Sequence, residues 1–129
     1  MPLTSPRDGV AINYEVYGDG PPLILISGTG HDLGFWAGQI PFFSKSFRTI
    51  VFDNRGVGQS SVPEPGYSLA DMADDAAHVL DDAGIDQAHV MGFSMGGHIS
   101  QELTLNHADR VLSLGIHHSW TRNGARLKK

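Results

Sequence analysis

Residues Gly92-Phe93-Ser94-Met95-Gly96 read G-x-S-x-G, with an apolar, strand-like run at 88–91 before them and a helix-like run after. In that order, strand then serine then helix, the pattern describes a sharp turn that lifts the serine hydroxyl above a sheet, where it can attack a carbonyl carbon. The turn holds its serine in a sparsely populated backbone conformation. Side chains two residues to either side would collide with it, so Gly92 and Gly96 stand where glycine is required. Ser94 is the candidate nucleophile.

A serine hydroxyl needs a base, and the base needs an acid to orient it. After Ser94 the carboxylates are Glu102 and Asp109. Glu102 falls on the helix that follows the serine, and Asp109 falls before the last strand, at the wrong edge of the sheet. His98 and His107 lie in or at the end of that same helix. His117 and His118 alone fall at the carboxyl end of a strand, where catalytic groups collect in open α/β sheets. The seven histidines contain no H-E-x-x-H. His98 and Glu102 share a helix face, whereas His117 and His118 point to opposite faces of a strand. The reading is no metal and no cofactor.

These groups need elements to hold them. Residues 10–17 alternate and are rich in β-formers, ending at the turn signal Gly18-Asp19-Gly20-Pro21. Short apolar runs follow at 23–26, 50–52, 90–91 and 111–116. Strands apolar on both faces belong to a parallel sheet with helices on each side. Helices are expected at 36–47, with Pro41 blurring the boundary, at 68–83 and at 95–106. The second is the clearest: Leu69, Met72, Ala73, Ala76, Val79, Leu80 and Ala83 form one stripe at helical spacing. Ser68 and Asp71 resemble a capping box there, and Gly84 suits its end. Its acidic side (Asp71, Asp74, Asp75, Asp81, Asp82) reads as a solvated face. The order β-β-α-β-α-β-α-β is an α/β fold by alternation.

With 129 residues, 40% hydrophobic and 18% charged, the chain is one soluble domain. Residues 1–118 form its core and 119–129 a polar, basic tail. The net charge of −5 argues against nucleic acid or an anionic membrane surface as partner. There is no cysteine, hence no disulfide or thiolate site. No signal-peptide core or membrane-length apolar run is present, and a cytoplasmic location is expected.

The residues resemble the α/β-hydrolase superfamily from about residue 10 to 118, through motifs in the right order. Gly92–Gly96 looks like its nucleophile elbow. Ser27-Gly28-Thr29-Gly30 stands where the family's His-Gly-x loop follows the third strand, with Trp36 at a familiar distance beyond, as core or pocket wall. Asp53-Asn54-Arg55-Gly56-Val57-Gly58-Gln59-Ser60 looks like the D-x-R-G-x-G-x-S segment after the fourth strand.

The resemblance implies acyl transfer: Ser94 attacks an ester, lactone or thioester, and backbone N–H groups of Met95 and Thr29 hold the oxyanion. Ser27 departs from the family's usual His, which puts the packing of that loop in question. Asp53 and Arg55, tempting as catalytic groups, look structural in the family, bracing the loop after strand four together with Gly56. Serine at the elbow excludes the epoxide hydrolases and dehalogenases of this fold, which carry aspartate.

The family's chain order is Ser, then Asp or Glu, then His, with the base after two further strands. The chain therefore reads as the amino-terminal half of a hydrolase, truncated after about strand six and weak or inactive alone. The alternative is a non-catalytic protein that uses the pocket above Ser94 for a small ligand; a third reading is complementation by a partner chain. The final strand is expected to be an exposed apolar edge through which the chain self-associates. Substrate identity is not legible.

Overall fold

The computed structural model describes residues 3–7, 9–28, 30–63 and 66–117. Five strands form one sheet: β1 Tyr14–Tyr17, β2 Pro22–Ile26, β3 Arg48–Phe52, β4 Ala88–Phe93 and β5 Val111–His117. Their order is β1-β3-β2-β4-β5, with β1 antiparallel to β3 and every other pair parallel. The helices are α1 Ile40–Phe43, α2 Leu69–Asp82 and α3 Met95–Asn106, with 3₁₀ turns at Leu33–Trp36 and Ala108–Arg110. This is the alternation read from the sequence. Outside β1, an antiparallel bridge joins Leu3 to Asn13, so the chain before β1 folds back along the sheet.

Both faces of the sheet are covered, but unequally. Ile24, Ile26, Ile50, Phe52 and Val90 pack against Met72, Ala73, Ala76, Val79 and Leu80 of α2 and Ile99 and Leu103 of α3. The opposite face offers Leu23, Leu25 and Val51 to Trp36, with Leu33, Phe35, Ile40, Phe43 and Phe47 around them. The helix expected over 36–47 is thus one turn, α1, preceded by a 3₁₀ turn. Gly34 and Gly38 are poor helix formers, and Pro41 is tolerated only in the first turn.

α2 follows its sequence closely. Ser68 Oγ accepts from the Asp71 amide at 3.1 Å and an Asp71 oxygen accepts from the Ser68 amide at 2.8 Å, a complete capping box. That amide holds the Asp71 carboxyl below its ordinary pKa. Gly84, at φ +73°, follows the helix. The acidic face is not simply solvated. Asp75 is buried against Arg55, Asp74 meets His107, Asp81 meets Arg7 and Arg110, and Asp82 accepts from Tyr14. Helical periodicity reports which way a residue points and says nothing of which neighbour awaits it.

Among the described residues β5 pairs with β4 alone, and on it Leu112 and Leu114 are 48% and 37% exposed. Among the described residues no helix is long and apolar enough to cross a membrane. Residues 119–129, read as a tail, lie outside the described residues.

Candidate active site

Every part of the site comes from the carboxyl ends of β2, β3 and β4. Phe93 closes β4 and Met95 opens α3, so Ser94 alone makes the turn. Its backbone sits at φ 58°, ψ −121°, and it is the only non-glycine residue with positive φ among the described residues. Such a conformation costs on the order of 1–3 kcal/mol and persists only where the surroundings impose it.

The surroundings are backbone in close approach, which is why the flanking residues are glycine. A Cβ on Gly92 would overlap the Gly96 carbonyl and Ser100 Oγ. One on Gly96 would overlap the carbonyls of Ile26 and Ser27 at the end of β2. The clash expected from the sequence therefore exists, but its target differs. The glycines admit α3 and β2 to the turn rather than sparing the serine side chain. Ser100 Oγ donates to the Gly96 carbonyl at 2.7 Å, tying the first turn of α3.

The loop after β2 lies against the serine. A Cβ on Gly28 would stand 3.1 Å from Ser94 Cβ and 3.6 Å from its Oγ. Ser27 is fully buried, and its hydroxyl donates to the His31 carbonyl at 3.1 Å, while the His31 amide donates to the Gly28 carbonyl at 3.2 Å. The hydroxyl thus closes the loop where the family's histidine would stand. Thr29 lies outside the described residues. Met95 is the first residue of α3, where helix amides carry partial positive charge.

The loop after β3 is a brace. The Asp53 carboxylate, 2% exposed, accepts from Leu33 N at 2.7 Å, Gln59 N at 2.9 Å and Asn13 Nδ2 at 3.0 Å. Its own carbonyl accepts from Ser60 Oγ at 2.6 Å. Gly58 is needed because a Cβ there would overlap that carboxylate. Arg55 grips Asp75 through two hydrogen bonds of 2.6 and 2.8 Å and lies 5.1 Å from the Tyr67 ring centroid. Bonding to Asp75 raises the guanidinium pKa further. Gly56, at φ +82°, turns the chain beneath the Tyr67 hydroxyl.

The other chemistry-bearing groups disperse. His107 bonds Asp74 at 2.7 Å at the far end of α3. Glu102 accepts from Asn106, and the Asp109 carbonyl accepts from Gln87 before β5. His117 pairs with Phe93 in the strand register, one residue before Ser94, and His118 lies outside the described residues. No group of three or more His, Asp or Glu positioned for a metal occurs among the described residues. Trp36 is core, 5% exposed.

Two features of the site left no mark in the sequence. Asn54 Nδ2 donates to the buried Ser27 carbonyl at 3.1 Å, joining the two loops. His31, Phe35 and Phe93 form a ring series with centroids 4.4 and 5.0 Å apart, running from the exposed loop to the residue beside the serine. Periodicity reports neither, because Asn54–Ser27 and Phe35–Phe93 join segments far apart in sequence.

A sequence model of the alpha/beta hydrolase fold matches residues 21–122. A protein of Azorhizobium caulinodans named for carbamate hydrolysis, RutD, is 40% identical over 116 residues, which are 90% of this chain and 44% of the relative. The crystal structure of a hydrolase from Pseudomonas aeruginosa superposes with a TM-score of 0.91 at 32% identity, covering 95% of this chain and 47% of its own. A solved N-acyl homoserine lactone degrading enzyme gives 0.86 at 39% identity, covering 93% and 46%. The chain thus spans somewhat under half the length of these relatives. With the family match over most of its length and the sheet order above, this chain belongs to the α/β-hydrolase fold family.

Proposed function

We propose that Ser94 is the nucleophile of a hydrolase that cleaves a carboxylic ester, lactone or thioester by acyl transfer. The observation that carries this is the strained serine itself, held at φ 58° between β4 and α3 with the Gly28 loop against its side chain. Ser94 Oγ adds to the carbonyl carbon, and the carbonyl oxygen takes the negative charge. The N–H groups of Met95 and Thr29 receive that charge, each worth about 100- to 1,000-fold in rate. The serine proton passes to a base, the leaving group departs, and water reverses the sequence on the acyl-enzyme. The hydrolase relatives, one named for carbamates and one for lactones, support attack at a carbonyl of this class.

His107 is committed to Asp74, at the far end of α3 from the serine. We propose that these 129 residues alone are weak or inactive, and as a separate reading that the protein resides in the cytoplasm. Incubation with a fluorophosphonate probe tests the nucleophile. Slow labelling is expected, and Ser94→Ala should abolish it; labelling that survives the substitution would remove Ser94 from the chemistry.

The apolar β5 edge supports a second proposal, self-association through that strand. Size-exclusion chromatography should show concentration-dependent dimers that Leu112→Lys disrupts. A thermally robust monomer at all concentrations would refute it.

A further inference from the structure

The two loops that flank the serine are joined by one side chain that the acyl-transfer reading does not use. Asn54 is 1% exposed, two residues after β3 ends. Its Nδ2 donates to the Ser27 carbonyl at 3.1 Å, and its Oδ1 has no partner among the described residues. The orientation of the amide follows from chemistry: exchanging its nitrogen and oxygen would set two acceptors against each other. A buried amide whose oxygen goes unpaired has its use at the nitrogen.

We propose that Asn54 is a positioning residue for the oxyanion-binding loop, fixing the Ser27–Gly28 peptide with which that loop leaves β2 beside Ser94. The inference rests on the nucleophile reading above. A carbonyl and the next N–H belong to one rigid peptide plane, so holding the Ser27 oxygen sets the direction in which the chain leaves β2. Gly28, one residue on, has its Cβ position 3.1 Å from Ser94 Cβ, so a rotation of that plane moves the loop directly against or away from the nucleophile. The loop's other end is already closed, by Ser27 Oγ on the His31 carbonyl and the His31 amide on the Gly28 carbonyl. Asn54 is the described contact that anchors this closed loop to the rest of the sheet's rim through its leading carbonyl.

The test uses the whole chain as parent, Ser94→Ala, Asn54→Leu and Asn54→Asp, assayed with p-nitrophenyl acetate below the melting temperature of every variant, with the Ser94→Ala rate subtracted. Asn54→Leu should lower kcat about 10- to 100-fold with KM within about twofold, because a displaced donor forfeits much of an oxyanion contact. Asn54→Asp should be equally slow at about pH 8, where its carboxylate has no proton to donate. Toward about pH 5 its rate relative to the parent should recover at least about fivefold, because burial and the facing Ser27 carbonyl raise the introduced carboxyl above its free pKa and a carboxylic O–H then replaces the amide donor. The Leu variant's deficit should stay flat with pH, a contrast that mere loosening of the fold would not produce.

Asn54→Leu within about twofold of the parent in kcat, while Ser94→Ala abolishes turnover, would overturn the inference. If Ser94→Ala instead matches a parent that turns over measurably, the nucleophile reading fails; in that case, and equally if the parent shows no turnover above background, the tether is judged by amide exchange alone. Asn54→Leu should then speed exchange at His31 at least about tenfold against Leu103 in α3, and unchanged exchange would overturn the tether. Should Asn54→Leu not fold, the isosteric Asn54→Asp decides through its pH profile.

Discussion

Replacing Gly96 by alanine sets two physical effects of opposite sign against each other. Gly96 is the second residue of α3, and in an unobstructed helix glycine to alanine stabilises by about 1 kcal/mol. Here the new methyl would overlap the Ile26 and Ser27 carbonyls. Ile26 ends β2, a strand paired on one side with β3 and on the other with β4, and Ser27 follows it directly, so neither carbonyl can step aside alone. Overpacking against backbone costs up to about 3 kcal/mol, which leaves a net loss near 2 kcal/mol. At about 4 °C per kcal/mol for a chain of this size, the melting temperature should fall by roughly 8 °C. Gly38→Ala is the control, since a Cβ there meets nothing within 4 Å; its effect should lie within about 0.5 kcal/mol of zero or be stabilising. Urea unfolding of the three proteins gives the comparison. A Gly96→Ala chain as stable as the parent would show that α3 does not press on β2 as closely as described, and the account of the elbow would fall with it.

Ser94→Gly should abolish probe labelling yet stabilise the fold by about 1 kcal/mol, since relief of strain exceeds the added freedom of the unfolded chain; denaturant midpoints check the sign. Arg55→Met should cost about 3 kcal/mol by leaving the Asp75 carboxylate buried without its partner, and the double change Arg55→Met/Asp75→Leu should recover most of it in thermal melts. The Tyr14 hydroxyl is pushed up to about 12 by burial and by donating to Asp82. The folded state therefore keeps a proton that the unfolded chain releases near 10, so this stabilisation is full below about pH 10 and is lost as pH rises toward about 12. Tyr14→Phe should flatten that part of the stability profile; an unchanged alkaline decline would refute the assignment.

The order of elements and the elbow were legible because they rest on local rules: the stripe of α2, the apolar runs of β2 and β3, and glycines at 92 and 96. The first helix was overdrawn at 36–47, since apolar residues there cover the sheet from a 3₁₀ turn and a single helical turn. The acidic residues of α2 looked solvated because their partners, Arg55, His107, Arg7, Arg110 and Tyr14, come from distant parts of the chain. Asn54 was invisible for the same reason. A residue whose task is to join two loops carries no period, and its type becomes informative only once its burial is known.

The way Asp53 is held bears on how the rim of the site answers to its medium. Dissolved ions screen exposed pairs such as Arg7–Asp81, whose side chains are 47% and 49% accessible, within a length of about 8 Å at physiological ionic strength. Asp53 is held differently, by N–H donors from three separate stretches of chain at residues 13, 33 and 59. Among the described residues no counter-ion takes part in that arrangement for salt to displace. Concentrated electrolyte should loosen the periphery of α2 while the strand ends beneath the serine keep their geometry.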